Sequence, residues 1–425
     1  MYSGSSSRIL LFGAVLLFCV SLLLCGVISR VQASALSSFW SVNEKVNDDT
    51  GTFLQDRPSI AIDSAGNAYA IWRDLRNGTY DGHWDLDVYF SYRPAGGNWN
   101  VNQRVNDDTG IEVQDWPAIV VDSAGNAYAV WKDYRNGDPD IYFSYRPVGG
   151  NWSVNQRVDD GGTTDVDHPD IAIDSAGNLY ALWQDLRNSD PDVYFNYRPA
   201  GGSWGADERV SDAVAGTVQY SGAIAVDGTG NAYAAWTDQR NGNADIYFSY
   251  RPAGGHWSTN ERVNDDVGVA EQWGPAIAVD STGNAYAIWQ DNRNGNYDVY
   301  FSYRPQGGGW GTNIRVNDDS GTANQYQVAI AVDRAAVFAI WQDRRNGNSD
   351  IYFSYCLATG SWHINERVND DTGTVSQYDP TITFDTQGNV YAAWTDERNG
   401  NEDIYFSARP STVRRVFLPI VLKTH

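Results

Sequence analysis

The chain has 425 residues, with 53 acidic side chains against 30 Lys and Arg and a formal net charge of −23. Such a surface repels phosphate backbones and anionic lipid heads, so nucleic acid and charged membranes are poor partners. Two of its three cysteines, Cys19 and Cys25, lie near the start and only Cys356 remains beyond them, so a large core rather than disulfides must hold the fold.

Residues 1–33 differ from everything that follows. Arg8 precedes an apolar run over 9–28, and Val31-Gln32-Ala33 offers small residues for cleavage before Ser34. This pattern is that of an export signal and predicts a secreted or cell-surface protein with no membrane attachment after cleavage. The run is long for a signal, which keeps an uncleaved anchor as the alternative. Leu24, before Cys25, is not the small residue a lipid-anchoring signal needs.

From residue 39 to 410 one unit is written seven times, with a marker aspartate at Asp63, Asp122, Asp174, Asp227, Asp280, Asp333 and Asp385. A period of about 50 residues made of short strands means stacked units that need neighbours to bury their faces. In the second unit, runs at 117–122 and 126–131 are β-branched and aromatic and are bounded by Gly, Asn and Asp. A third run covers 140–146, and a fourth covers 152–158 after Gly149-Gly150. The linkers are too short for crossover helices, so the strands must be antiparallel. The expected fold is all-β: a seven-bladed β-propeller of four-stranded antiparallel blades.

The ends of the array support this count. The fourth-strand signature Trp-x-x-Asn occurs at Trp40, before any first strand, and the last unit stops near Arg409 without one. Residues 39–46 are therefore expected to close the ring as the outer strand of the last blade. A tail over 411–425, with the apolar stretch 416–422, follows and has no assigned role.

Antiparallel order places the Asp-x-Arg-Asn-Gly loops and the blade-to-blade Asn-Asp-Asp loops on one face, the face to search for a site. The Asp-x-Arg motif recurs at Arg76, Arg135, Arg187, Arg240, Arg293, Arg345 and Arg398. Either these arginines form a ring of anion binders, or each pairs with an Asp of its own or the next blade; sevenfold repetition favours pairing. The Asn-Asp-Asp loops supply oxygens but lack the alternating spacing of a dedicated calcium loop, and turn formation explains them more simply. No cofactor is expected, with weak calcium binding the one exception to test.

Differences between units carry more functional information. Six units have a Gln eight residues before the marker Asp: Gln55, Gln114, Gln219, Gln272, Gln325 and Gln377. The next residue is Tyr220, Trp273, Tyr326 or Tyr378 in the last four units, and Asp56 or Asp115 in the first two; unit three carries Val166-Asp167-His168 instead. Aromatic rings beside amides suit sugars, which stack their apolar faces and hydrogen-bond their hydroxyls. Packing between ring neighbours is the simpler alternative. The first unit carries an insertion over 79–86 on the same face, including His83 and Trp84.

The turn Ser91-Tyr92-Arg93-Pro94-Ala95-Gly96-Gly97-Asn98-Trp99 resembles the Asp-box turn of the sialidase-like (BNR repeat) propellers. The Gly and Trp match, while Pro94 stands at the Asp position. The resemblance spans nearly all of 39–410 and implies the propeller fold more than an activity. It also places Arg57-Pro58 near the first of the family's three substrate arginines, though the flanking aromatic and Ile are absent. No arginine triad and no Tyr-Glu nucleophile pair can be singled out, so no catalytic residue is assigned.

These features together point to an exported, monomeric, non-catalytic binding or surface-recognition propeller, with carbohydrate the favoured ligand class. A sialidase-like exo-glycosidase and a structural cell-surface protein are the alternatives. The expected ligand contacts are Tyr220, Trp273, Tyr326 and Tyr378, the neighbouring Gln219, Gln272, Gln325 and Gln377, and Trp84 and Arg57.

Overall fold

The computed structural model describes residues 40–78, 85–161, 165–212, 216–333, 336–357 and 361–411. The export signal, the tail beyond Ser411 and most of the first-unit insertion, Trp84 included, lie outside them. Residues Trp40–Ser411 form one unit built from seven antiparallel sheets of four strands each, a seven-bladed β-propeller. In the first blade the strands are Gln55–Ile62, Ala68–Asp74, Asp87–Arg93 and the short Gln103–Arg104, in spatial order. The first strand of each blade is innermost. These strands abut one another around the axis, and Gln377–Phe384 of the last blade meets Gln55–Ile62 of the first.

The ring closes through the chain's start. Glu44–Lys45 pairs antiparallel with Asp403–Arg409, setting Glu44 opposite Phe406 and Lys45 opposite Tyr405. Flanking bonds from Ser41 N to Ala408 O and from Val46 N to Ile404 O, both 2.8 Å, extend the contact beyond that pair. The outer strand is thus shorter than 39–46. Every blade has the same two-residue outer ladder, with widely spaced bonds on either side such as Ser153 N to Tyr145 O and Val158 N to Ile141 O.

Packing between blades is apolar and aromatic. Ile71, Val88 and Phe90 of the first blade bury against Ile119, Ala129 and Trp131 of the second, and equivalent clusters recur around the ring. A second-strand tryptophan (Trp72, Trp131, Trp183, Trp236, Trp289, Trp341, Trp394) is fully buried in each blade. At roughly 200 Å² of ring surface and about 25 cal/mol per Å², each contributes about 5 kcal/mol before entropy is counted.

Each tryptophan also serves a charge. Two residues on along the strand, and so on the same side of it, stands a fully buried aspartate that accepts the indole N–H: Trp72 to Asp74 at 2.8 Å and Trp236 to Asp238 at 3.0 Å. The Asp-x-Arg arginine completes the site. Arg240 donates to Asp238 at 2.6 Å, to Asp212 in the loop arriving from the preceding blade at 2.7 Å, and to Asn260 at 3.0 Å, while lying over the Tyr247 ring. Asn260 and Asp212 bond each other through backbone N–H groups at 3.0 and 2.8 Å. The same clasp closes the ring, where Arg398 joins Asp396, Asp370 and Asn43. Of the two readings of the arginines, the structure bears out pairing.

Two outcomes follow. Deleting residues 34–47 removes the closing strand and Asn43, so the protein should lose cooperative thermal melting or aggregate; a truncated chain that melts like the intact one would refute closure by this segment. Arg240→Ala leaves Asp238 buried without its cation and should cost on the order of 3 kcal/mol in chemical denaturation, with any ligand affinity unchanged.

Candidate functional site

The entrance to the central channel lies where each first strand begins. There the ladder between first and second strands is interrupted by a bulge, for example between Asp56 and Ser59 and between Trp273 and Ala276. A bulge re-aims a side chain. The residue two after the Gln, or after Val166 in blade three, sits in it with left-handed backbone: Arg57 (φ 53°), Trp116 (51°), His168 (50°), Gly274 (58°), Gln327 (49°) and Asp379 (51°). For non-glycine residues this conformation costs about 1–2 kcal/mol each, and such strain gathers at functional sites. The fourth-blade equivalent in sequence is Ser221.

These side chains border a cavity of about 370 Å³ on the ring axis, with Pro58, Pro117, Pro169, Pro275 and Pro380 next to them in sequence. Much of the unit repeats like residues, whereas this column of the sequence reads Arg, Trp, His, Ser, Gly, Gln and Asp. A larger hollow of about 1030 Å³ lies off the axis between blades five and six, where Asp280, Arg315, Asp318, Trp362 and His363 are among its lining residues.

The mouth has two unlike halves. In blades one to three the residues are charged and stacked. Arg57 donates to Asp115 at 2.6 Å and lies 3.7 Å over the Trp116 ring, which packs against His168 at 4.0 Å. Arg73 donates to Asp56 at 2.7 Å and to Asp115 at 3.2 Å, and Lys132 sits 3.3 Å from Asp165 and 3.4 Å from Asp167. Burial pushes the Asp56 carboxyl up despite Arg73. Burial also lowers the His168 pKa, with Asp167 opposing and Arg57 and Lys132 assisting. The Asp379 carboxyl, bonded by the Gln327 amide, is pushed up to about 6 by burial and by the charge of Asp56, against the pull of Arg57 and Arg73.

Blades four to seven are aromatic. Tyr220 and Trp273 lie 5.6 Å apart, and Tyr326 packs on Tyr297 at 5.7 Å with Arg344 over the Tyr326 ring at 5.3 Å. Glu271 accepts from the Trp273 indole at 3.1 Å, and the Tyr378 hydroxyl donates to Glu402 at 3.3 Å. All four expected aromatics are half-buried, so each combines packing with exposed area. Of the expected contacts Arg57 lines the axial cavity, whereas Tyr220, Trp273, Tyr326 and Tyr378 lie beside it without lining it.

The glutamines need correcting. Gln219, Gln272, Gln325 and Gln377 have no exposed surface and cannot meet a ligand. Gln272 accepts from Asn264 at 2.8 Å and donates to Asp291 at 3.4 Å; Gln325 and Gln377 repeat this with Asn317 and Asn369. They tie the Asn-Asp-Asp loop to the buried aspartate, because a buried amide or carboxylate must be fully bonded. The loop oxygens that suggested calcium are similarly engaged: Asn264 Oδ1 accepts from the Ile246 N–H at 2.8 Å, and Asp265 takes Arg293. Sequence reasoning missed Trp116, His168, Gly274, Gln327 and Asp379 as a set. The signal available was that this one column of the repeat never carries the same residue twice.

The chain matches no family profile. It is 27% identical over 257 residues, 52% of its own length, to a β/α-amylase of Paenibacillus polymyxa, and covers only 21% of that relative. Among solved structures, an ulvan lyase of a polysaccharide lyase family superposes with a TM-score of 0.61 at 11% identity, covering 85% of this chain and 94% of that one. A protein of unknown function from Dyadobacter fermentans gives 0.55 at 12%, covering 88% and 99%. The endosialidase of phage phi92 gives 0.51 at 9%, covering 91% and 71%. At these identities the likeness is one of fold.

The Asp379 carboxyl yields a test of the mouth's electrostatics. Its folded pKa lies above the unfolded value of about 3.9, so the fold holds an extra proton between about pH 4 and 6 and loses stability as pH rises through that window. Asp379→Asn should flatten this decline in denaturation curves taken across it. The slope should not vanish, because the Asp170 and Asp207 carboxyls are also raised to about 6 by burial. A slope identical to that of the parent would mean that Asp379 is solvated in the fold.

Proposed function

We propose that this protein is an exported glycan-binding propeller whose ligand sits at the mouth of the central channel. One observation carries the reading: a chain that repeats like residues through seven blades breaks its symmetry at the mouth, and only there borders an axial cavity with unlike side chains. A directional ligand needs unlike contacts, and an exact ring cannot supply them. The cavity volume falls within the usual range for small-ligand sites, and half-exposed Tyr and Trp rings beside polar groups suit sugars. The ulvan lyase of the same fold is known bound to a GlcA(1-4)Rha3S unit, which supports a sugar at such a scaffold without assigning an activity.

A glycosidase is the second reading, and one contact favours it. Tyr378 donates to Glu402 at 3.3 Å, a Tyr-Glu couple within reach of the raised Asp379. Against it, Arg57 and Arg73 are both held by Asp115, and Arg73 also by Asp56, instead of converging on open space.

Trp273→Ala should weaken glycan binding by roughly 1–2 kcal/mol in calorimetric titration while the melting temperature holds. Binding unchanged after all four aromatics are substituted would reject the mouth as the site. Turnover of a fluorogenic sialoside, abolished by Tyr378→Phe, would replace the binding reading by the enzymatic one.

A further inference from the structure

We propose that the open subsite lies at blade five, between Trp273 and Gln290, and that it takes an uncharged oligosaccharide. This rests on the glycan reading above and narrows it. The mouth is not equally accessible around its rim. Where blades one, two, three, six and seven carry Arg57, Trp116, His168, Gln327 and Asp379, blade five has Gly274, and a Cβ there would still clear its neighbours, the nearest being Gln290 Nε2 at 3.7 Å. The gap is therefore real space.

Gln290 stands directly opposite Trp273 in the ladder and borders the cavity. Its Oε1 is buried with no hydrogen-bond partner among the described residues. Such an amide oxygen has lost its hydration, and no described group replaces it. Half a turn about its last torsion, which is soft, would direct the oxygen to the gap, where a sugar hydroxyl could donate to it. Of the equivalent side chains, Arg73 is engaged with Asp56, Thr237 with the Gly274 N–H at 3.1 Å and Gln342 with Ser349 at 2.7 Å; the Thr395 hydroxyl opposite Tyr378 also lacks a partner among the described residues, but blade seven carries Asp379 where blade five has its glycine. Blade five thus combines an aromatic ring, an unused amide and a vacancy.

The charge balance selects the ligand class. Arg57, Arg73 and Lys132 each already hold a carboxylate, while Glu271 beside Trp273 and Glu402 beside Tyr378 add negative charge. An anionic sugar would meet repulsion, because among the described residues these cations of the mouth are already paired. Arg344, exposed over Tyr326, is the exception, and an acidic glycan would have to use it.

The test compares the intact protein with uncharged oligosaccharides (maltohexaose, cellohexaose) and acidic ones (oligogalacturonate, sialyllactose) by calorimetric titration at low and high salt. Expected is binding of an uncharged chain, insensitive to salt, weakened about fivefold to tenfold by Gln290→Leu and lost in Gly274→Trp. Trp116 shows that this conformation accepts a Trp side chain in blade two, and an unchanged melting temperature would exclude misfolding. Salt-sensitive binding of only the acidic chains, removed by Arg344→Ala, would overturn the uncharged class while leaving the glycan reading intact. Binding of an uncharged chain indifferent to both blade-five variants would overturn the subsite alone. Failure of every glycan to bind would overturn both readings.

Discussion

A carboxylate with no access to water sits at the end of the second strand of every blade, and the propeller is organised around keeping it bonded. Asp74 and its six equivalents are fully buried. An isolated charge there would be prohibitively costly, so each is met by an indole N–H, a guanidinium and a backbone N–H. Once the arginine is committed, its second nitrogen reaches the loop from the preceding blade, and a local need becomes a link between blades. Tryptophan, arginine, asparagine and glutamine recur together because they satisfy one another.

That solution has a consequence for function. Seven equal clasps make a rigid ring, and rigidity frees the first-strand bulges to hold strained backbone without the fold depending on what they carry. The left-handed residues facing the axis differ from blade to blade, whereas the clasp residues scarcely do. The stable part of the molecule is symmetric and the axial cavity is not. The charged half of the mouth is closed upon itself by ion pairs and stacking, whereas the glycine of blade five leaves a gap.

Much of this was legible beforehand. Period, strand count and the orphan Trp40 segment led to seven blades and to closure from the N-terminal side, because short antiparallel strands with turn residues between them leave few alternatives. The arginines were correctly read as paired, since a sevenfold charge motif must serve something sevenfold. The glutamines were misjudged: a Gln next to an aromatic looks the same in sequence whether it faces water or a buried aspartate. Adjacent strand residues point to opposite sides, so Gln272 is sealed while its neighbour Trp273 keeps part of its ring in the open.

The sequence by itself determined the fold class, the blade number and the structural role of the repeated charges, because each depends on patterns within one unit multiplied by seven. Only the tertiary structure decided which residues share the channel mouth. Arg57, Trp116, His168, Gly274, Gln327 and Asp379 come from six different blades, far apart in the sequence, and a bulge turns each toward one axis. Their meeting is a property of ring closure and of backbone geometry, neither of which a single repeat contains.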